Sequence, residues 1–315
     1  MKVLITGSTG FVGRYMVNAL LSEGFEVASI VRNLDKLRRL YGEKVRGYRG
    51  NFEDRASIRK AFEDFKPDYL IHLIGILYEE KSKGITFHKV HCLYSQNLYQ
   101  VAKEFDIKKV LHMSTLGTHK NAPSSYHKTK YQAEQELIKT GLNYTIFRPS
   151  IILGPEQRLF YDMWNITRYL RVMALPSGGH YLFQPVDVRD VVCCFLKAIK
   201  SEETNRKIYE LCGDKKVSFK KLLEDVFSYW NRKVLLLPMP KAIMYLGGLL
   251  IERVMEPPPF SSDQMLMMWR DNICGLDPEV ESQGVQKVCQ KAPIPYQESL
   301  LWSLKEFKNL MSSII

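Results

Sequence analysis

The sequence predicts an α/β protein with a doubly wound parallel sheet and a smaller, mostly helical C-terminal lobe. In the first half of the chain, about six short apolar segments alternate with segments of helical periodicity, which is typical of β-α-β units with right-handed crossovers. The alternation loosens after Pro149, and past Arg206 one further strand-like segment is followed mostly by helical patterns. The first half therefore predicts the sheet, and the remainder predicts the lobe.

The elements predicted in the first half follow one another without long gaps. Strands are predicted, in order, at 2–6, 25–31, 44–48, 69–74, 109–113 and 144–147, the last ending at Arg148-Pro149. Helices are predicted between them at 11–21, 34–40, 55–65, 86–105 and 124–139. The first helix illustrates the pattern, because Val12, Met16 and Leu20 recur on one helical face.

The second half carries fewer signals. Residues 183–199 (FQPVDVRDVVCCFLKAI) are typical of a strand end that leads into a helix, and KIYELCG at 207–213 is one more predicted strand. Helix starts are predicted from residues that favour the first turn, at Ser218, at Ser261-Ser262 and at Asp277 followed by Pro278.

The composition is that of an ordinary globular protein with a basic surface. The 315 residues are 45% apolar and 25% charged, with a formal net charge of +11 and a pI near 9.2. Such a surface attracts phosphates, nucleic acid or anionic lipid. The basic residues occur in scattered pairs without interleaved aromatic residues, so no nucleic-acid partner is expected.

The cysteines and the N-terminus indicate a reducing compartment. The six cysteines include no C-x-x-C pair, so neither a metal site nor a disulfide framework is expected, and the thiols are predicted to be reduced and mostly buried. Met1-Lys2 leads directly into the first strand without a signal peptide, which favours a cytoplasmic location.

The most apolar later segment is 234–255, VLLLPMPKAIMYLGGLLIERVM. Pro238, Pro240 and Lys241 interrupt it and leave about fourteen apolar-rich residues, fewer than the roughly 20 that span a bilayer. We expect this segment and the nearby MLMMW to form the core of the lobe. The alternative is that they dock on a partner or lie peripherally on a membrane surface.

The stretch TGSTGFVG joins the first predicted strand to the first helix. Gly7 would permit the tight turn, Gly10 would let a phosphate approach the backbone, and Gly13 would let the helix pack closely on the strand. The unpaired N–H groups and the positive end of the helix dipole suit a pyrophosphate. Glycines can also simply make a turn, but their place in the first β-α unit predicts a dinucleotide-binding Rossmann fold.

The end of the second predicted strand bears on cofactor choice. NAD-specific sites place an acidic residue there, whereas an arginine accommodates the 2′-phosphate of NADP. Here Val31 holds the acidic position, Arg32 follows it, and Lys36 comes one helical turn later. Because a guanidinium binds a phosphate through two hydrogen bonds, we expect NADP(H) to be preferred over NAD(H). A solvated basic face is the alternative.

The segment SSYHKTKYQAEQEL places Tyr126 and Lys130 four residues apart, on one face of a predicted helix. A neighbouring ammonium favours the phenolate, so we expect the pKa of Tyr126 to be lowered from about 10. Such a pair can carry a proton to or from a carbonyl during hydride transfer. Ser114 and Thr115, at the end of the fifth predicted strand, are candidate partner hydroxyls. Taken alone, the spacing is often a packing coincidence.

Together these segments resemble the extended or atypical branch of the short-chain dehydrogenase/reductase superfamily. TGSTGFVG, HMSTLG, YHKTK, FRPSIILGP, PVDVRDV and KIYELCG come in that family's order and cover roughly the first two thirds of the chain. Within the branch, SSYHKTKYQAE and PPFSSDQMLMMWRDN are most similar to the nucleotide-binding accessory subunit of respiratory complex I and its bacterial relatives. The resemblance implies a nicotinamide nucleotide and, as partners, a small substrate or a respiratory complex at the inner face of a membrane.

The resemblance also implies roles for particular residues. Tyr126, Lys130, Ser114 and Thr115 would be catalytic, with Tyr126 as the acid/base and Lys130 also on the nicotinamide ribose. The residues expected to bind the cofactor are Gly7, Thr9, Gly10, Phe11, Val12, Gly13, Arg32, Lys36, Asn51, Phe52, Gly75, Lys130 and Pro149. Asn51 stands where many relatives have an Asp beside adenine, and its side-chain carbonyl remains available.

Two departures from the family pattern matter. His91 stands where the extended branch usually has an Asn, which puts the usual water relay to the lysine in doubt; a lone helical histidine is more often simply packed. In addition, many relatives carry the catalytic hydroxyl beyond the strand end, where this chain has Leu116 and Gly117. Ser114 would then only order the backbone.

Two functions remain open. The chain is either an oxidoreductase or epimerase acting on a small substrate, or a non-catalytic holder of NADP(H) in a membrane respiratory complex. Arg158, Arg168 and Arg171 either grip an anionic substrate or form a solvated face. We assign residues 1–155, with 183–203 returning to them, to the Rossmann domain, and 156–182 with 204–315 to the substrate or partner lobe.

Overall fold

The computed structural model describes residues 1–169, 171–256, 258 and 260–312. Its strands are β1 Lys2–Thr6, β2 Glu26–Val31, β3 Val45–Arg49, β4 Tyr69–His72, β5 Lys109–Met113, β6 Tyr144–Pro149, β7 Ile152–Leu153, β8 Val172–Pro176, β9 Leu182–Phe183, β10 Val186–Asp187, β11 Lys207–Leu211, β12 Val217–Ser218 and β13 Leu235–Met239. Its helices are α1 Phe11–Ser22, α2 Leu34–Tyr41, α3 Arg55–Phe65, α4 Tyr94–Ala102, α5 Ser125–Lys139, α6 Arg158–Tyr169, α7 Val188–Lys200, α8 Phe219–Tyr229, α9 Lys241–Val254, α10 Ser262–Met267, α11 Gly284–Cys289 and α12 Tyr296–Ser312.

A seven-stranded parallel sheet forms the centre, in the order β11-β6-β5-β4-β1-β2-β3. The chain leaves β1 toward β2 on one side and later returns to β4 on the other. The connection after β1 and the connection after β4 therefore lead away from each other. The carboxyl ends of these two neighbouring strands form the crevice in which doubly wound sheets bind ligands. The predicted fold class is confirmed.

Apolar side chains cover both faces of this sheet, as expected for parallel strands that are buried on both sides. Val3 and Ile5 pack with the α1 and α7 side chains, whereas Leu4 packs on the opposite face with α3, α4 and α5. A third apolar cluster around Phe160 and Phe307 forms the core of the lobe. The two sheet-covering layers hold the carboxyl edge of the sheet as a rigid platform.

Most predicted elements agree with the structure. The predictions 2–6, 55–65 and 109–113 coincide with β1, α3 and β5. Ser124, Ser218 and Ser261 cap α5, α8 and α10 through their side chains. The predicted helix 86–105 instead begins with a wide π-helical turn, His88–Leu93, before α4.

The helix start predicted at Asp277 is wrong. Asp277 and Pro278 lie in a turn, in which the Asp277 carbonyl accepts the Val280 N–H at 3.2 Å. The Asp277 carboxylate lies 3.2 Å from the buried guanidinium of Arg148. The acidic residue that suggested a helix cap is therefore used to pair a buried charge.

The predicted strand at KIYELCG lies in the main sheet and not in the lobe. β11 pairs in parallel with β6, with Lys207 opposite Thr145. Residues 207–211 therefore extend the sheet assigned to 1–155, although we had placed them with 204–315. Residues 313–315 of that lobe assignment lie outside the described residues. The remaining domain boundaries stay a prediction.

The expectation of reduced cysteines is wrong for one pair. Cys212 and Cys274 form a disulfide, with 6.1 Å between their Cα atoms. Cys212 directly follows β11, and the segment around Cys274 runs beside it, because the Gly275 N–H donates to Glu210 at 2.7 Å. The other cysteines, Cys92, Cys193, Cys194 and Cys289, are free.

Most of the segment 234–255 lies outside the core of the lobe, although Val234 and Leu236, like Met268 of MLMMW, pack against that core. It folds as β13 and α9, and in α9 only Met244 and Gly248 are buried. Leu246 and Leu250 are 58% and 63% exposed. Within the described part of the chain, no helix combines the length and the apolar character needed to cross a membrane.

Candidate cofactor and catalytic site

The three glycines of the first turn satisfy three different requirements. Gly7 has φ +78°, a left-handed conformation that favours glycine. A Cβ on Gly13 would lie 2.1 Å from the Gly7 carbonyl oxygen, so only glycine lets α1 approach the turn this closely. Gly10 has an ordinary extended conformation, and a Cβ there would meet only the Gly7 carbonyl oxygen, at 3.3 Å. The protein itself therefore does not require glycine at position 10.

The start of α1 is left open. Gly10 supplies no side-chain cap, and the first turn carries no acidic residue. By contrast, side chains cap α2, α3, α5 and α7, from Asn33, Asp54, Ser124 and Asp187. The unpaired N–H groups of α1 and its positive dipole end consequently face a cavity and fit an anionic pyrophosphate.

This cavity has a volume of about 480 Å³ and carries several cations. Its lining includes Thr9, Gly10, Phe11, Arg14, Lys36, Glu156, Arg158, Tyr161, Asp162 and Asn165. Arg158 pairs with Asp162 at 2.7 Å and donates to the Tyr78 hydroxyl at 3.2 Å. Arg168 and Arg171 are not among the lining residues, and both are exposed to solvent.

Sequence reasoning missed Arg14 in this cavity. It lies in the first turns of α1 and pairs with Glu156 at 2.9 Å. A cation near the positive end of a helix dipole is unfavourable unless an anion is close by. A basic residue in the first turns of a predicted helix was therefore the sequence signal that could have identified Arg14.

The expected adenine end lies beside the cavity. Arg32 follows β2 directly and is exposed, while Asn33 caps α2 by accepting the Lys36 N–H. The Gly50 N–H donates to the Val31 carbonyl at 3.1 Å, which brings the loop carrying Asn51 next to Arg32.

Two residues expected to bind the cofactor are already engaged within the protein. The Asn51 side-chain oxygen, expected to be available, accepts the Glu53 N–H at 3.1 Å. The ring of Phe52 is buried in the core beside Tyr94, with 5.7 Å between the ring centroids. Val12 is likewise buried in the core. A nucleotide could therefore contact the backbone of Phe52 and of Val12, but not their side chains.

The structure brings Tyr126 and Thr115 together. The Thr115 side chain lies near the Tyr126 phenol, and the rings of Phe87, His91 and His127 enclose the Tyr126 ring at centroid distances of 5.8, 5.4 and 5.3 Å. Burial raises the pKa of Tyr126 to about 12, the Thr115 side chain lowers it, and the charge of Asp263 raises it further. The expected lowering is therefore wrong, because desolvation dominates and Lys130 is not among the groups that shift the phenol.

Lys130 lies behind the tyrosine on α5. Its Nζ donates to the Met113 carbonyl at 3.1 Å, and burial lowers its pKa to about 8. A Cβ on Gly75 would lie 3.1 Å from this Nζ, so glycine after β4 leaves room for the ammonium. Pro149 is buried at the end of β6, where its carbonyl accepts the Leu116 N–H.

Ser114 and His91 have structural partners. The Ser114 N–H donates to the Phe147 carbonyl at 2.7 Å, and its hydroxyl faces Thr118 at 3.4 Å. His91 Nε2 accepts the Ile76 N–H at 3.1 Å, and its Nδ1 lies 2.9 Å from the Thr129 hydroxyl. Burial lowers the pKa of His91 well below its usual value. His91 is therefore a packed, neutral histidine and leaves no free nitrogen for a relay.

A lobe residue fixes the start of α5. Asp263 of α10 accepts the N–H groups of Ser125 and Tyr126 at 2.6 and 3.0 Å. A carboxylate at the positive end of α5 stabilises that helix. Sequence reasoning missed this contact, since the two residues are far apart in the chain.

Comparisons with known proteins agree with this geometry. The profile of the NAD dependent epimerase/dehydratase family matches residues 3–212. The mitochondrial "NADH dehydrogenase [ubiquinone] 1 alpha subcomplex subunit 9" of Arabidopsis thaliana is 29% identical over 284 residues, covering 85% of this chain and 70% of that protein. The Mus musculus protein of the same name is 27% identical over 289 residues, covering 90% and 75%. The expected resemblance to complex I subunits is confirmed.

A solved structure shows the same fold at lower identity. The UDP-glucose 4-epimerase of Thermus thermophilus in complex with NAD matches with a TM-score of 0.73 and 18% identity, over 98% of this chain and 99% of that one. The family profile itself spans about two thirds of the sequence, including the glycine turn and the Tyr126-Lys130 helix. This chain belongs to the NAD dependent epimerase/dehydratase family.

Proposed function

We propose that this chain binds NADP(H) along the carboxyl edge of the sheet and uses Tyr126 as the proton carrier in a reaction on a small substrate. The arrangement that supports catalysis most directly is the side chain of Thr115 beside the Tyr126 phenol, with Lys130 one turn behind on the same helix. The open start of α1 and the bare backbone at Gly10 fit the pyrophosphate. When bound, the nicotinamide supplies or accepts a hydride.

The remaining chemistry belongs to side chains of this protein. Because the pKa of Tyr126 is raised to about 12, its phenol is protonated near neutral pH and is ready to donate a proton to a substrate oxygen. This state favours carbonyl reduction over the reverse reaction. Thr115 orients the phenol, and Lys130 supplies positive charge behind it. Ser114 is left as a backbone-ordering residue.

A single-turnover assay tests catalysis. Protein loaded with reduced cofactor is mixed with a panel of carbonyl compounds, quinones and sugar nucleotides, and the nicotinamide absorbance is followed. Oxidation of the cofactor by one member of the panel, at a rate well above that of the cofactor alone, supports the proposal. An unchanged signal with every compound, combined with very slow cofactor release, would contradict it and favour a holder.

The holder function is the second candidate, and two observations favour it. Neither the cavity beside Gly10 nor the cavity of about 240 Å³ near Arg270 is lined by Tyr126, which is 7% exposed. The relatives described above are named as NADH dehydrogenase subunits. In this case bound NADP(H) would stabilise an accessory or assembly subunit, in the cytoplasm and peripheral to the inner face of a membrane.

The preference for NADP(H) rests on Arg32 and is tested by Arg32→Ala. Loss of a charge-assisted pair to the 2′-phosphate should weaken NADPH binding about tenfold or more, while NADH binding stays within about twofold. Calorimetric titration of both nucleotides measures the difference.

Arg38→Ala provides the matched control for this prediction, because Arg38 is an exposed arginine on the neighbouring helix α2. It should bind both nucleotides like the unaltered protein. Equal weakening of NADPH and NADH by Arg32→Ala would overturn the assignment of Arg32 to the 2′-phosphate.

A further inference from the structure

The outward face of α9 is apolar, which is the reverse of an ordinary surface helix. Ile243, Leu246, Leu250 and Val254 are 55%, 58%, 63% and 79% exposed. Their spacing of three or four residues places them on one stripe along the helix. On its other side, α9 carries Glu252, whose carboxylate accepts from the Ser262 N–H and lies near its hydroxyl.

The way α9 is attached fixes this orientation. Gly248 packs against the start of α10, where an added Cβ would lie 2.6 Å from the Ser262 nitrogen. Met244, one turn earlier, is buried on the same side. Because glycine permits this close contact with the α10 backbone, rotating the apolar stripe inward would break it. The stripe is therefore held toward solvent by the fold.

The strands that lead into α9 expose further apolar side chains. Leu235 and Leu237 on β13 are 58% and 42% exposed, and Val172 on the paired strand β8 is 42% exposed. Leu235 and Val172 are direct partners in this parallel pair and so share one face. Only Pro240 separates β13 from α9. We refer to α9 with the β8–β13 pair as the apolar face.

Cations lie at the amino ends of the same two strands. Arg171 directly precedes β8, Arg232 and Lys233 precede β13, and the Leu235 N–H donates to the Arg171 carbonyl at 2.8 Å. The pKa of Arg232 is lowered by burial and then by the charges of Arg171 and Arg168, which places these guanidinium groups near one another.

These cations are not neutralised within the protein. Among the described residues, neither Arg168, Arg171, Arg232 nor Lys233 forms an ion pair with a carboxylate. Near α9, the carboxylates of Glu252 and Glu256 are bound to Ser262 and Ser82. Positive charge without a carboxylate partner therefore accompanies the apolar face, although Arg232 donates to the Trp164 carbonyl and lies 3.7 Å over the Trp164 ring.

We propose that the apolar face docks on a membrane that contains anionic phospholipid. The side chains of α9 would enter the boundary between headgroups and acyl chains, and the cations would contact the lipid phosphates. The positive charge of these arginines favours an anionic membrane over a second copy of the chain. A symmetric dimer through this face would bring arginines without carboxylate partners together. The proposal does not depend on whether the nucleotide reacts.

Vesicle flotation of the full chain tests the proposal. Vesicles of phosphatidylcholine alone are compared with vesicles containing phosphatidylglycerol, at low and high salt. The protein should float with the anionic vesicles at low salt and much less at high salt, where surface attraction is screened. A protein that stays in solution with anionic vesicles at low salt would overturn the proposal.

Two variants locate the contact, each with a matched control. Leu246→Glu with Leu250→Glu should weaken binding roughly a hundredfold, whereas Leu301→Glu, at an exposed leucine of α12, should not. The double variant Arg168→Ala, Arg171→Ala should weaken vesicle binding roughly thirtyfold. The control variant Lys215→Ala, Lys216→Ala removes two exposed cations elsewhere and should have a smaller effect.

The remaining outcomes also decide the proposal. If the Leu246/Leu250 variant floated as well as the unaltered protein, the membrane contact would lie elsewhere and the proposal would be overturned. A dimer in solution that this variant converts to a monomer would identify the face as a self-interface and overturn it as well. NADPH binding is measured for every variant, since retained binding shows an intact fold. Flotation without any NADPH binding would refute the proposed function alone.

Discussion

Gly13→Ala is expected to lower the free energy of unfolding by about 3 kcal/mol, or to prevent folding. A methyl group at this position would lie 2.1 Å from the Gly7 carbonyl oxygen and 2.8 Å from the Ser8 Cα. Both are backbone atoms, so no side chain can move aside. α1 would have to separate from β1, and the core contacts of Val12 and Met16 would loosen. Urea unfolding, followed by circular dichroism, measures the change.

Gly10→Ala is the control within the same turn. Gly10 has φ −86° and ψ 179°, which any residue adopts, and its added Cβ would meet only the Gly7 carbonyl oxygen. Its unfolding free energy should therefore change by less than about 1 kcal/mol. If Gly13→Ala unfolded at the same urea concentration as Gly10→Ala, close packing would not be the reason for glycine at position 13.

Tyr126→Phe is expected to slow single-turnover hydride transfer by about 10²- to 10⁴-fold. The substitution removes the phenol proton but keeps the ring among Phe87, His91 and His127. NADPH affinity and stability should change little, because the proposed pyrophosphate site is at the glycine turn. The measurement is the pre-steady-state rate with any substrate that turns over.

Tyr131→Phe is the matched control, since Tyr131 is a tyrosine on the same helix and is not among the rings around Tyr126. It should react at the rate of the unaltered protein. A Tyr126→Phe protein that kept the full rate would remove Tyr126 from the reaction, and the holder function would become the better account.

The sheet domain could be predicted from the sequence because its signals are local. Each buried strand is a short apolar run, and Asp54 and Ser124 mark helix starts through bonds within their own first turns. The glycine turn is partly local, since Gly7 has a left-handed backbone and Gly13 packs against Gly7 and Ser8, whereas the space beside Gly7 is limited by the distant Leu73 and Ile74.

Features that depend on contacts between distant residues could not be predicted in this way. The Cys212–Cys274 disulfide joins residues 62 positions apart. β11 takes its place beside β6 through pairing that no local pattern specifies. Asp263 reaches the start of α5 from the lobe.

The burial of individual side chains could not be predicted from the sequence either. The apolar composition of 234–255 could not indicate whether its side chains point inward to the lobe or outward to solvent. The contact of Gly248 with Ser262 decides this, and it turns Leu246 and Leu250 toward solvent. Likewise, the spacing of Tyr126 and Lys130 suggested a lowered phenol pKa, whereas the enclosing rings desolvate the phenol and raise it.

The measurement that tests the central claim most directly is a calorimetric titration of NADPH into the unaltered protein and into Gly10→Ala. The claim is that the open amides at the start of α1 hold the pyrophosphate, and that Gly10 is glycine only to let that ligand approach. We expect saturable binding by the unaltered protein and binding weaker by about tenfold or more in Gly10→Ala, whose unfolding free energy should stay within about 1 kcal/mol of that of the unaltered protein. Equal affinity in the two proteins, or no binding by the unaltered protein, would contradict it.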